Sequence, residues 1–350
     1  MVSKSFCFFI QNEAVLTREV KGNLMNMKQI GIDVSKATLD CCFLIEKTSK
    51  DYQRKEVDNT LVGFKKLKSW ILKITKALPG DIQITLEATG VYHLKLTQFL
   101  NKMGFRICVV NPADSFHYAK SLGMRAKTDK LDGIMLAHYG WERRLRVWRP
   151  APKKRIEIKA LSSRLSVIEK DIRREQNRLE SIQIAGESKA VERLIKTAIK
   201  SLEKQKQQCE KLIDQLIDSD QTLVKDKELL LSIKGIGIVC TRHLLGEIYI
   251  GRFKSATQCA AFMGLVPVPK QSGTVHQVGL SKGGNRALKA KLYMAAISAK
   301  RYNPLVKNKY DQLIARGKSK MSALCAAMQH LIRICFGVIK HQKEFCLQVN

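Results

Sequence analysis

Apolar and polar positions first fall into order at Met27-Lys28-Gln29-Ile30. They alternate through Gln29-Ile30-Gly31-Ile32-Asp33-Val34 and predict a strand there. Residues 38–45, Thr-Leu-Asp-Cys-Cys-Phe-Leu-Ile, predict a second. After Asn59 the apolar positions Leu61, Phe64, Leu67, Trp70, Ile71 and Ile74 recur at helical spacing, giving a helix capped by Asn59 and broken by Pro79-Gly80. Residues 82–87 and 106–110 read as further strands, and residues 93–103 as a helix that Gly104 ends. Strands alternating with helices predict an α/β layer whose sheet is at least partly parallel.

Pro150 and Pro152 mark a boundary, beyond which Lys, Arg, Glu, Gln and Leu dominate. Leu161, Leu165, Ile168, Ile172, Glu175, Leu179 and Ile182 step by four and three, as in a coiled-coil seam. A second seam runs through Val191, Ile195, Ala198, Leu202, Gln205, Cys209, Leu212 and Leu216. The two helices either fold back on each other or pair between subunits. From about Leu223 the chain is helical and punctuated by glycine. There Lys234-Gly235-Ile236-Gly237 between two helices is either a helix–hairpin–helix turn, whose N–H groups hold a DNA phosphate, or a plain interhelical turn. The fold class expected is thus α/β plus all-α, with four parts. Residues 1–26 form an extension, 27–150 an α/β domain, 151–222 a coiled-coil dimerisation region and 223–345 a helical C-terminal domain.

Charge changes the picture from fold to partner. The 350 residues carry 62 Lys and Arg against 31 Asp and Glu, a net charge of +31, while 45% are hydrophobic. A globular chain with that excess calls for a polyanion, above all nucleic acid, and argues against a dedicated small-molecule enzyme. None of the ten cysteines forms a C-x-x-C pair. Most have apolar neighbours, which suits small core residues in a reducing cytosol. The apolar run at residues 6–10 is too short for a membrane span, so a cytoplasmic, nucleoid-associated protein without a membrane partner is expected.

In so basic a chain the acids are informative. Asp33 lies in the first strand, Glu87 ends the strand at 82–86, and Asp129 and Asp132 stand one helical turn apart. Converging carboxylates at element ends are what metal-assisted phosphoryl transfer needs. Asp129 as a helix cap and Asp33 as a strand end are the plain alternatives for each acid alone.

The segments Gly31-Ile32-Asp33-Val34-Ser35-Lys36, Leu86-Glu87-Ala88-Thr89-Gly90-Val91-Tyr92 and Lys127-Thr128-Asp129-Lys130-Leu131-Asp132 resemble the DEDD motifs of insertion-sequence 110 family transposases. Those enzymes are related to Piv-type DNA invertases. The resemblance covers residues 27–345. It implies a RuvC-like, ribonuclease H-type N-terminal domain in which Asp33, Glu87, Asp129 and Asp132 bind Mg²⁺, with Mn²⁺ able to stand in.

Farther on, residues 266–280 hold two prolines and two glycines and read as an exposed loop, in which Ser272-Gly273 is ordinarily a turn. The family resemblance extends to this segment and to Gly279-Leu280-Ser281-Lys282-Gly283-Gly284-Asn285-Arg286. It implies that Ser272 is the nucleophile forming a covalent link to DNA, with Ser281 as its rival. Many relatives have Ser-Ser-Gly-Gly where this chain has Gln271-Ser272-Gly273-Thr274. Lys270, Lys282 and Arg286, with Lys234, Gly235 and Gly237, are the expected nucleic-acid contacts. The resemblance further implies recombination of donor and target double-stranded DNA through a phosphoserine intermediate, a noncoding guide RNA, and self-association as a dimer with a tetramer at synapsis. A RuvC-like structure-specific endonuclease with water as nucleophile is the alternative reading.

Overall fold

The computed structural model describes residues 27–46, 51–88, 90–123, 129–186, 188–272, 275–281 and 283–346. The expected extension at 1–26 and Lys282 lie outside the described residues. The chain divides into two compact units, residues 1–150 and 151–350.

The first unit is built on a five-stranded sheet, β1 (Lys28–Val34), β2 (Thr38–Leu44), β3 (Tyr52–Asp58), β4 (Ile82–Glu87) and β5 (Arg106–Val110), in the order β3-β2-β1-β4-β5. β1, β2 and β3 pair antiparallel, whereas β1, β4 and β5 run parallel. This mixed sheet with helices fits a ribonuclease H-like DEDD domain. Helices α1 (Leu61–Thr75) and α2 (His93–Lys102) cover one face, where Ile30, Ile32, Ile84, Leu86 and Ile107 pack with Phe64, Leu67, Leu96 and Leu100. α3 (Pro112–Ser121) and α4 (Asp129–Glu142) lie on the other face, with Val110, Tyr118, Met135 and Leu136 between them.

Two details differ from the sequence pattern. The helix cap is Thr60, whose hydroxyl accepts from Gly63 N–H at 3.2 Å. Asn59 instead sends its amide to Ser35 O, at 2.8 Å. β3 escaped the pattern because its residues, Tyr-Gln-Arg-Lys-Glu-Val-Asp, are mostly exposed and it is held through its backbone ladder to β2.

In the second unit, α5 (Lys153–Ala185) and α6 (Lys189–Asp218) pack on each other. They turn at Gly186, whose φ of 68° suits a glycine, and Ser188 caps α6. Hydrogen bonds Arg164–Gln205 (3.2 Å) and Gln183–Glu192 (3.1 Å) fix an antiparallel register, so the seams meet within one chain. The second seam runs through Ile199 and Ile213, both more buried than Ala198 and Leu212.

The root of this hairpin supplies Ile158, Leu165, Ile213 and Ile217 to a core shared with α7 (Gln221–Leu231), α8 (Ile238–Leu245), α9 (Ala256–Phe262), α10 (Arg286–Tyr302), α11 (Pro304–Ala315) and α12 (Lys320–His341). A buried Arg155–Asp226 ion pair ties the start of α5 to α7, and Arg155 also donates to Leu245 O (2.8 Å) and Ile248 O (3.0 Å). Among the described residues α12 alone is long and apolar enough to cross a membrane. Its Leu324, Met328, Leu331, Ile332 and Cys335 are buried in this core.

Residues 267–280, expected as a loop, form a ribbon of β6 (Pro267–Ser272) and β7 (Val275–Leu280). Ser281 N–H donates to Val266 O at 3.1 Å, which makes Val268, Lys270 and Ser272 the hydrogen-bonded positions. Pro267 and Pro269 fall between them, where no N–H is needed, so the prolines do not prevent pairing.

Candidate functional site

The acids of the first unit gather at one end of its sheet. In β1, Ile30, Ile32 and Val34 face the α1/α2 core, so Gln29, Gly31 and Asp33 face α4. In β4 the same alternation sends Gln83, Thr85 and Glu87 toward α4, because Ile82, Ile84 and Leu86 fill the opposite core. The parallel register pairs Ile32 with Leu86, which sets Asp33 and Glu87 side by side at the carboxyl ends of adjacent strands.

α4 crosses this face at backbone distance. A Cβ added at Gly31 would overlap Gly133 O, and one added at Gly140 would meet Thr85, Gln29 and Gln83. From Gly133 to Gly140 the helix therefore runs against the direction of β1. Its first turn, with Asp129 and Asp132, lies toward the strand ends that carry Asp33 and Glu87. Asp33, Glu87 and Asp132 are each partly buried. Among the described residues no set of three His, Cys, Asp or Glu side chains closes on a metal-sized point. The side chain of Asp129 lies outside the described residues. These acids offer only carboxylate oxygens, the donors that fit a hard divalent cation such as Mg²⁺.

Two neighbours escaped sequence reading. Ser115, fully buried on α3, donates its hydroxyl to Glu87 Oε2 at 2.7 Å. Asp40, paired across the ladder with Asp33, is a further carboxylate on the same face. Arg54 on β3 claims it, with Nε at 2.7 Å from Oδ1 and Nη2 against Oδ2. Both partners lie far along the chain from the acid they hold: the β2–β3 ladder brings in Arg54, and the turn from β5 into α3 brings in Ser115.

In the second unit the expected contacts fall into separate places. Lys234 and Gly237 are exposed in the α7–α8 turn. Gly235 has φ 102° and packs so closely on Ala299 that a Cβ would strike it. Asn303 holds the turn through Lys234 O, at 3.3 Å. Arg286 is exposed at the opposite end of α10, about 20 Å along the helix from Ala299. Ser281 Oγ accepts from Gly283 N–H (3.2 Å), and Lys289 Nζ donates to Ser281 O (2.7 Å). Burial and, secondarily, Arg286 push the Lys289 pKa down. Ser272 pairs with Val275 at the closed end of the β6–β7 ribbon, and Lys270 lies in the same strand. The side chains of Ser272 and Lys270 lie outside the described residues.

Comparison with known proteins bears on both units. Residues 30–182 match the model of the DEDD transposase domain of IS110, and residues 227–311 match that of the IS116/IS110/IS902 transposase family. The pilin gene-inverting protein of Moraxella bovis is 32% identical over 333 residues, covering 93% of this chain and all of the relative. Its Moraxella lacunata counterpart is equally similar. An IS110 protein of 43.6 kDa from Streptomyces coelicolor is 32% identical over 114 residues, 32% of this chain and 28% of that protein.

The chain belongs to the IS110 family of transposases.

As an IS110 family transposase it is a DNA-recombination enzyme of a mobile element. The N-terminal family match begins within β1, takes in the other four strands and runs into α5. The C-terminal match takes in the α7–α8 turn, the β6–β7 ribbon and the start of α10. Every site residue anticipated in this transposase falls inside one of the two matched stretches.

Proposed function

We propose that this transposase cuts and rejoins donor and target DNA through a covalent phosphoserine intermediate. The reading rests on one observation above others. Asp33 and Glu87 share a sheet face and an end, turned toward the helix that opens with Asp129 and Asp132. In the proposal these four carboxylates hold Mg²⁺, which when bound supplies charge neutralisation at the scissile phosphate. Asp33 and Glu87 are held by strand backbone and Asp132 by a helix packed at backbone distance. The carboxylates therefore keep their spacing as DNA enters.

Ser272 Oγ attacks the phosphorus in line. The new Oγ–P bond forms as the bond to the deoxyribose oxygen breaks; in the net step the proton lost by the serine hydroxyl goes to that oxygen, which leaves as a hydroxyl. The serine phosphodiester retains the energy of the broken bond, so a second strand's hydroxyl can reverse the step and rejoin DNA without ATP. Lys234, Gly235, Gly237, Lys270, Lys282 and Arg286 contact phosphates. A noncoding guide RNA selects the donor and target sequences, and the enzyme works as a dimer that forms a tetramer at synapsis, in the cytoplasm at the nucleoid.

The test is a denaturing gel of labelled DNA reacted with Mg²⁺. The expected result is a protein–DNA adduct that Ser272→Ala abolishes and Ser281→Ala leaves. Adduct-free cleavage that survives Ser272→Ala overturns the serine step in favour of water as nucleophile. Omitting RNA transcribed from the flank of the gene abolishes recombination if guidance holds.

A further inference from the structure

The geometry points to Ser115 as a positioning residue that fixes the Glu87 carboxylate and decides which of its oxygens is left for a metal ion. It rests on the reading of Glu87 as a metal-holding acid.

The chain reaches Glu87 twice within a few residues. First, Val110 at the end of β5 pairs with Glu87 in the parallel ladder, and Ala88 N–H donates to Val110 O at 3.0 Å. The chain then turns at Asn111-Pro112, where Asn111 accepts from Ala113 N–H and caps α3. One turn later Ser115 comes back over the same strand end. Its hydroxyl lies 2.7 Å from Glu87 Oε2, 3.0 Å from Pro112 O and 3.4 Å from Asn111 O.

A hydroxyl has one proton to give, and the nearest and only charged of the three acceptors is the carboxylate. Ser115 is 0% exposed, so water does not compete for that proton. The bond takes one side of Oε2 and turns the carboxylate plane. Among the described residues no other hydrogen-bond donor to Glu87 is seen, which leaves Oε1 as the oxygen not engaged by Ser115. Tyr118, one turn farther along α3, donates to Glu142 of α4 at 2.8 Å. The same helix therefore grips both the strand acid and the helix that carries Asp132.

The decisive experiment measures Mn²⁺ binding to the full-length protein by the electron paramagnetic resonance signal of the free ion. Ser115→Ala is expected to weaken binding about tenfold, the scale typical of a lost partner behind a metal ligand, in a protein that still folds without metal. Ser115→Thr keeps the hydroxyl and is expected to restore wild-type affinity. Wild-type affinity in Ser115→Ala, or a Ser115→Thr variant as weak as Ser115→Ala, overturns the inference. Glu87→Gln separates the two levels. If it loses affinity while Ser115→Ala keeps it, only the positioning role falls. If Glu87→Gln itself binds normally, the metal-holding role of Glu87 falls and this inference with it. Should Ser115→Ala not fold, Ser115→Cys, similar in size and a weak donor, takes its place with a smaller expected loss.

Discussion

Gly31 determines how close the helix bearing two of the acids comes to the strand bearing a third. Its missing side chain lets Gly133 O rest on β1, and no rotamer change can make room for a methyl against backbone. Gly31→Ala is expected to lower stability by about 1–3 kcal/mol and to reduce recombination by more than that loss explains. Denaturant unfolding beside a strand-exchange assay measures both. Arg54 poses a related question. Removing it leaves Asp40 buried and unpaired across from Asp33. Arg54→Ala should thus cost about 1–2 kcal/mol, discounted for its partial exposure, and Arg54→Ala/Asp40→Asn should recover most of it in a double-mutant cycle. His243 carries a pH dependence. Burial, then Lys291, lowers its pKa from 6.5 to about 4, with Glu169 opposing and Arg242 adding to the shift. Between those values the unfolded chain binds the proton and the folded one does not, so stability falls as pH drops from 6.5 toward 4. His243→Phe should flatten that part of the melting-temperature profile relative to wild type. The sequence marked Asp33 and Glu87 through the strands that carry them, and Asp129 and Asp132 through their spacing and the family resemblance rather than through any helical period. Ser115 and Arg54 were not, since nothing local ties a serine to a glutamate 28 residues earlier or an arginine to an aspartate 14 away.

At the level of elements, hydrophobic period found what is buried and missed what is held by backbone. β1, β2, β4 and β5 follow from alternation or apolar runs, whereas β3 buries only Val57 and gave no such signal. The β6–β7 ribbon was hidden by prolines that turn out to occupy the positions where an N–H is superfluous. The hairpin of α5 and α6 was visible as two seams, but four-and-three stepping does not fix which of two adjacent apolar residues turns inward. Ile199 and Ile213 do so in place of Ala198 and Leu212 because the partner helix lies on their side. Ile199→Asp should therefore reduce hairpin stability clearly, while Ala198→Asp should be nearly neutral. Circular dichroism melts of the two variants compare them directly.

For the whole molecule, the net charge of +31 exceeds what the described ion pairs use. Lys291 is committed to Glu169, Arg242 to Asp214 and Arg155 to Asp226, yet Lys234 and Arg286 remain exposed. Affinity for duplex DNA should fall steeply with salt, and Arg286→Gln should reduce the log–log slope by about 0.9 if that residue meets a phosphate. Fluorescence anisotropy across a salt series gives the slope. An unchanged slope removes Arg286 from the contact set. Composition made the polyanion legible from the outset, but not which cations remain available for it, because that depends on pairings between helices far apart in sequence.

The edges of the five-stranded sheet carry a last consequence. On one side Trp148 N–H donates to Ile107 O at 2.7 Å, so the chain leaving α4 seals part of β5. On the other, β3 shows Arg54, Lys55 and Glu56 to solvent, a charged border on which a foreign strand finds little to bury. Stickiness between strands is thereby suppressed at both rims. A sheet bordered in this way gives open backbone little chance to recruit a foreign strand, which protects the protein from the indiscriminate stacking that ends in aggregates.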